Sequence, residues 1–321
     1  MRKFTLASKR SSGSSRTSHA ASKVKGQRRV GFFGVIAVIA FFHIVITGNV
    51  KESFAGSPIW RIQKGTNKVY LLGSVHLLKK SDYPLPEPLE KAFVDSQKLV
   101  EEVNLDELED PATQQMILAK GLIKDNQTLR QLLSAETYES ARKQVEAVGL
   151  DLKEFDRFKP WMLDLTLTAL TLERLGFEPK YGIDKYFFDK AKRERKEILS
   201  LETVEYQLDR FDGMSPKMQE TILLQSLKEM DTVGKEFSEI LQAWREGDAK
   251  GLESTLLENF REFPEAYSQL VVERNTNWMP QIESFLQQKE NYLVVVGAGH
   301  LLGKDGLLAL LKAKGYGVEQ L

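Results

Sequence analysis

Two stretches of the chain end an apolar run with small residues and then a histidine. "VYLLGSVHLLKK" (69–80) passes through Gly73, Ser74 and Val75 to His76. "LVVVGAGHLLGKDG" (293–306) passes through Gly297, Ala298 and Gly299 to His300. The sequence holds four histidines, and the other two, His19 and His43, fall within the first 50 residues. The body of the chain therefore has two, each closing a G-x-x-H. Neutral imidazole is the commonest protein metal ligand and the general base best matched to neutral pH. Ligands in open sheets sit outside the carboxyl ends of strands. The pattern predicts that the two imidazoles meet at one such site, with glycines allowing close backbone approach. The plainer alternative is that each histidine caps its following helix.

Two imidazoles do not complete a site for a hard cation, so a carboxylate is expected beside them. In "KLVEEVNL" (98–105) side-chain alternation separates Glu101 from Glu102. Glu102 is the better candidate, as metal ligand or general base; the alternative is two solvated edge charges. In "LVVERNTNWMPQIESFL" (270–286), Val271, Trp278, Ile282 and Phe285 form a helical stripe. Asn275 falls on that stripe and Arg274 borders it. A buried arginine or asparagine needs partners, so Arg274 is expected to hold a carboxylate or stabilise an oxyanion, unless it serves only a structural salt bridge. Three further candidates line up behind these. Ser74 follows Gly73 but lacks the G-x-S-x-G elbow. Asp184 in "YGIDKYFFDKA" reads most simply as a helix N-cap. Glu202 in "LSLET" either lines the cleft or starts a helix. No H-E-x-x-H, Walker A or dinucleotide fingerprint occurs.

The elements that must position these residues come mainly from the two ends of the body. Residues 57–74 read as a hairpin turning at "KGTN", and 98–105 and 196–203 as short strands. The continuous apolar run 292–299 reads as a buried strand, followed by a helix ending near Gly315 and a last edge strand. The middle, from about Asp110 to Gln288, is mostly helical; "SPKMQETILLQSLKEM" (215–230) opens with a serine N-cap and a first-turn proline. The expected fold is α/β (α+β): a central mixed sheet built from both ends, with a large helical middle layer.

Residues 1–29 are basic and serine-rich, and "VGFFGVIAVIAFFHIVIT" (30–47) carries no charge. As a helix that run spans about 27 Å, close to a bilayer core. The expected organisation is a disordered cytoplasmic leader (1–29), a transmembrane signal anchor (30–48) and one domain (57–321), with the body across the inner (cytoplasmic) membrane on the periplasmic side. A cleaved signal peptide and a secreted body are the alternative. Residues 1–50 hold nine Lys/Arg and no acid, leaving 36 basic and 45 acidic residues in the rest, a balance of −9. That argues against nucleic-acid binding. The absence of cysteine excludes disulfides, thiolate metal sites and cysteine nucleophiles.

Five stretches in order resemble the TraB/GumN family, which is related to the TIKI-type metalloproteases: the hairpin with the first G-x-x-H, "KLVEEVNL", the Gly182/Asp184/Glu202/Gln207 segment, "ERNTNWMPQI" and the second G-x-x-H with its helix. The resemblance implies a fold akin to erythromycin-esterase and ChaN-like proteins, and divalent-metal-dependent peptide hydrolysis with Mn or Co. The expected function is thus a membrane-anchored, extracytoplasmic metal-dependent hydrolase acting on a peptide or small-molecule substrate. His76, His300 and Glu102 would hold Mn, Co or Zn, while Glu102, Arg274 and Asn275 would carry catalysis. The alternatives are a non-catalytic haem, iron or small-ligand binding protein on the same fold, and a tethered scaffold with a vestigial site.

Overall fold

The two apolar runs that end in G-x-x-H become neighbouring strands. The computed structural model describes residues 56–257 and 259–321. The leader, the expected membrane segment, His19 and His43 lie outside them. Strand β1 (Ile59–Lys64) turns through Gly65, at φ +64°, into β2 (Asn67–Ser74). Helix α1 (Glu87–Asp95) leads to β3 (Lys98–Glu101). The helical middle then runs through α2 (Pro111–Gly121), α3 (Leu129–Leu132), α4 (Ala135–Ala147), α5 (Pro160–Arg174) and α6 (Ile183–Glu194). Strand β4 (Glu197–Ser200) interrupts it before α7 (Val204–Asp212), α8 (Pro216–Glu229), α9 (Val233–Glu246), α10 (Ala249–Leu257) and the short α11 (Pro264–Tyr267). A π-helical stretch, Ser268–Val272, enters α12 (Glu273–Phe285). The chain closes with β5 (Tyr292–Gly297), α13 (Ala298–Leu301), α14 (Leu307–Ala313) and β6 (Val318–Gln320).

The six strands form one mixed sheet in the order β4-β3-β5-β2-β1-β6. Strands β4, β3, β5 and β2 are mutually parallel, and β1 runs antiparallel to both β2 and β6. Buried parallel strands are covered on both faces, which explains why β5 reads as an unbroken apolar run with all six residues buried. The register sets the carboxyl ends level: Ser74 pairs with Gly297, and Glu101 with both Val295 and Ser200. The mixed α/β architecture matches the sequence reading. Elements foreseen there recur within a few residues; Ser215 caps α8 by accepting from the Met218 amide at 3.2 Å. Among the described residues no helix is long and apolar enough to cross a membrane.

Candidate active site at the carboxyl edge of the sheet

Each of the four parallel strands delivers a polar residue just past its carboxyl end. Strand β2 gives Ser74 and His76, β3 gives Glu102, β4 gives Glu202 and β5 gives His300. Helix α12 crosses these ends and adds Arg274, Asn275 and Trp278, all fully buried.

Arg274 is the hub. Its Nη2 donates to Glu102 Oε2 and, at 2.7 Å, to Glu202 Oε1; its Nε donates to both Glu202 oxygens at 3.0 and 3.2 Å. Its Nη1 lies 2.9 Å from His300 Nε2. A guanidinium can only donate, so His300 Nε2 is the acceptor and the ring proton sits on Nδ1, 2.8 Å from Asn275 Oδ1. The Asn275 amide confirms that orientation by donating to the carbonyls of His300 (3.0 Å) and Asp305 (2.9 Å). The Trp278 indole donates to Glu202 at 3.0 Å, and its ring lies 4.4 Å from that of His300 and 4.7 Å from the guanidinium carbon. Gln207, on α7, donates to Glu102 and Glu202 at 3.1 and 3.2 Å.

His76 stands on the other side of Glu102. A β-carbon built on Gly297 would lie 3.3 Å from Glu102 Oε1, 3.7 Å from His76 Nε2 and 3.7 Å from His300 Cδ2. The two histidines and the glutamate thus surround one point, and the glycine leaves that point open. The Gly297 amide donates to Glu102 Oε1 at 2.6 Å. Behind the imidazole, His76 Nδ1 lies 3.2 Å from Asp184 Oδ1, within ion-pair range but without hydrogen-bond alignment. Ser74 Oγ donates to the same oxygen at 3.2 Å. Asp184 is not the N-cap of α6: that place belongs to Gly182, and Asp184 follows inside the first turn, facing the site. Gly182 makes the approach possible, since a β-carbon there would sit 2.2 Å from the His76 carbonyl oxygen.

Burial and charge compete at each group. Burial pushes the Glu102 carboxyl up, but the charges of Arg274, His300 and His76 and the bond from the Gly297 amide together outweigh it and hold the pKa down at about 2. Burial also raises Glu202, and here Arg274 offsets only part of the shift. Burial together with the Arg274 charge keeps His300 well below the usual imidazole range. For His76 burial acts downward, yet Asp184 and Glu102 lift it above its ordinary value. Neither glutamate of "KLVEEVNL" is a solvated edge charge: Glu101 and Glu102 are 2% and 8% exposed. Burial, then the charges of Asp184 and Glu102, push Glu101 far up, and its Oε1 has no hydrogen-bond partner.

A cavity of about 40 Å³ lies against Ser74, His76 and Gly297. Its roof is apolar, from Phe237 and Ile240 of α9 and Leu256 of α10. The Trp244 indole ties α9 to the end of β2 by donating to the Gly73 carbonyl at 2.6 Å. The volume admits two or three waters, or an ion with part of its shell. Among the described residues no three His, Cys, Asp or Glu side chains form a ready metal cage. The donors that face a common space are His76 Nε2 and Glu102 Oε1, and one imidazole with one carboxylate suits a divalent ion. A carboxylate behind an imidazole is the usual outer support of a histidine ligand, and Asp184 supplies it. His300 can join such a set only by giving up its bond from Arg274.

The sequence matches the pattern of the TraB/PrgY/gumN family over residues 58–320. The chain belongs to this family. It is 23% identical over 248 residues to "Uncharacterized protein YbaP" of Escherichia coli (strain K12), covering 77% of this chain and 89% of that protein. It is 21% identical over 322 residues to "Metalloprotease TIKI1" of Xenopus tropicalis, covering 84% of this chain and 62% of that one. It is 24% identical over 319 residues to "Metalloprotease TIKI homolog" of Amphimedon queenslandica, with 83% and 61% covered. The chain therefore spans about three fifths of these two metalloproteases. No solved structure matches it.

All the residues singled out in this TraB/PrgY/gumN chain fall in one cluster: Ser74, His76, Glu102, Asp184, Glu202, Arg274, Asn275 and His300. Trp278 was legible as a core residue and as part of the family stretch "ERNTNWMPQI". Its spacing of four from Arg274 on the same helical face is the signal that ties it to the site. Gln207 entered only through the family segment. Trp244 gave no signal, because its partner is a backbone carbonyl 171 residues away.

Proposed function

We propose that the protein is a metal-dependent hydrolase acting on peptide bonds. The observation that carries this reading is the convergence of His76 Nε2 and Glu102 Oε1 beside the open face of Gly297. The similarity to proteins named metalloproteases supports the same class. In this reading His76 and Glu102 hold the ion, drawn from Mn, Co and Zn, whose contribution is to polarise the scissile carbonyl. The chain's own residues do the rest. Glu102 stays ionised because Arg274 and the Gly297 amide both donate to it. Arg274 holds the Glu102 and Glu202 carboxylates in fixed positions. Asn275 and Trp278 fix His300, which in turn fixes Arg274. Phe237, Ile240 and Leu256 give the cavity an apolar roof, which weakens solvent screening on that side.

His76 Nε2 carries one lone pair, usable as a ligand or as a proton acceptor, and the two uses separate by experiment. Metal content of the purified protein is measured by mass spectrometry for the wild type, His76→Ala and Glu102→Gln, alongside cleavage of a peptide library. Ligand roles require both variants to lose bound metal and activity together while melting normally. Metal content unchanged in both variants overturns the metal assignment.

The same proposal places the body outside the cytoplasm, anchored by residues 30–48. A reporter fused after Leu321 is then active only on the outer side of the membrane, and activity in the cytoplasm reverses the orientation.

A further inference from the structure

The cavity at His76 has two unlike sides. Its floor is the polar edge of the sheet, with His76 and Gly297. Its other side is built by Val75, Leu77 and Ala298 close to the floor and by Phe237, Ile240 and Leu256 opposite. Among the described residues that line it, the polar side chains are Ser74 and His76, and the Ser74 hydroxyl is already engaged by Asp184 at 3.2 Å. A hydroxyl pressed against the roof would leave water without finding a partner, whereas an aliphatic group is drawn there by the surface it removes from water.

That roof is also held at a fixed spacing from His76. Phe237 and Ile240 are 1% and 2% exposed. Phe237 stands edge-on to Phe177, with ring centroids 4.6 Å apart and planes at 90°. Further along α9, the Trp244 indole donates to the Gly73 carbonyl at 2.6 Å. Just past the end of α9, the Gln320 amide of β6 donates to the carbonyls of Gly247 and Ser57 at 2.8 and 3.0 Å. The helix that carries most of the roof is thus fastened to the sheet at two places, one of them on β2 only three residues before His76. A wall that cannot give way discriminates by size, because neither a void nor an overlap relaxes beside it.

We propose that Phe237, Ile240 and Leu256 form the specificity wall of this site and select a short aliphatic side chain next to the scissile bond. Trp244 is the positioning residue that holds this wall to the strand bearing His76. The proposal rests on the peptidase reading of the same site and names the substrate class that reading leaves open.

The test uses the full chain and a pool of acetylated random hexapeptides. Mass spectrometry of the products gives the residues on each side of every cleaved bond. The same pool passed over immobilised protein gives selective retention without cleavage. One position beside the cleaved bond is expected to favour alanine and valine, with threonine about tenfold or more below its isostere valine and phenylalanine about 100-fold below. Ile240→Ala is expected to raise leucine at that position at least to the level of valine. Ile240→Val removes a single methylene and gives the same shift in smaller degree if the alanine variant does not fold. Trp244→Phe keeps a ring but removes the bond to the Gly73 carbonyl. It is expected to flatten the ratio of valine to leucine while valine stays preferred over threonine, which separates positioning from a general loss of structure. A cleavage pattern with no preference beside the bond, or one unchanged in both Ile240 variants, overturns the wall and keeps the hydrolase. An unchanged pattern in Trp244→Phe overturns the positioning role. Retention that prefers valine over threonine and shifts in Ile240→Val, with no peptide cleaved, supports the wall and removes the hydrolase reading. Neither cleavage nor selective retention overturns both.

Discussion

Replacing Gly297 by alanine separates a glycine kept for chemistry from one kept for packing. The residue has φ −48° and ψ 134°, a conformation open to alanine, so the backbone offers no objection. Its amide would still donate to Glu102 Oε1, a bond now 2.6 Å long. The new β-carbon would lie 3.3 Å from that oxygen, a contact relieved by a shift of a few tenths of an ångström, and 3.7 Å from His76 Nε2. Alanine also restricts the unfolded chain, a gain of roughly 0.4–1 kcal/mol. Small strain against small gain leaves stability within about 1 kcal/mol of the wild type. The new methyl group would stand between the His76 imidazole and the Glu102 carboxylate, on the face that glycine leaves open. Displacing a reacting atom by about 1 Å costs on the order of 10²-fold in rate. The expected result is a normal melting curve, a loss of peptide cleavage of 100-fold or more, and reduced bound metal. Wild-type turnover in the alanine variant would show that no reacting atom occupies this space. A collapse of the melting temperature would make Gly297 a packing requirement instead.

Three further perturbations probe the supports of the site and of the helical layer. Asp184→Asn removes the carboxylate behind His76 and is expected to lower metal affinity or activity by about 10–100-fold with the fold retained, checked by metal titration and circular dichroism. Arg274→Met leaves Glu102 and Glu202 buried without their shared cation and is expected to cost about 3–5 kcal/mol in denaturant unfolding; a loss under about 1 kcal/mol would mean the carboxylates are not held as charges. Asp164 of α5 is buried, with Ser226 and Glu229 of α8 beside it, and burial raises its pKa from 3.8 to about 7. Below about pH 4 it is protonated in both folded and unfolded chains, so it costs nothing; the penalty accumulates as the unfolded chain ionises between pH 4 and 7 and is constant above. Three pKa units amount to about 4 kcal/mol at most, so Asp164→Asn is expected to stabilise the protein at pH 8 and to give no gain at pH 4, read by urea unfolding at both.

The framework was legible because its signals are local. Apolar runs, the "KGTN" turn, serine caps and the two G-x-x-H motifs each depend on a few neighbouring residues, and the strands and helices follow from them. The convergence of His76 and His300 was legible at second hand, from the rule that sites lie past the carboxyl ends of strands. What the sequence left open was direction. Periodicity separates Glu101 from Glu102 but does not say which faces are buried, and here both are. Asp184 stood among the cleft candidates, and only its simpler reading as a cap fails, a reading that arises because a carboxylate at a helix start usually serves the helix. Its true partner lies more than a hundred positions away, reached through the bare Cα of Gly182. The second nitrogen of His300 was likewise out of reach, since nothing local says that Arg274 takes it.

That last contact bears on why the cluster exists. Arg274 lies at the meeting point of two carboxylates and an imidazole, fully out of water, with every nitrogen donating to a protein acceptor. Buried ion networks seldom improve stability over an apolar core of the same shape, because desolvation consumes most of the attraction. An apolar plug at the ends of four parallel strands would be the simpler way to close the sheet. The chain instead gathers Glu102, Glu202 and Arg274 there, fixes them through Gln207, Asn275 and Trp278, and leaves one face open at Gly297. The carboxylates are held with their lone pairs already assigned, except at Glu102 Oε1, where one backbone amide leaves room for a second partner. The rigid part of the cluster thus serves to present one ionised oxygen, at a fixed place, to whatever His76 faces across the cavity.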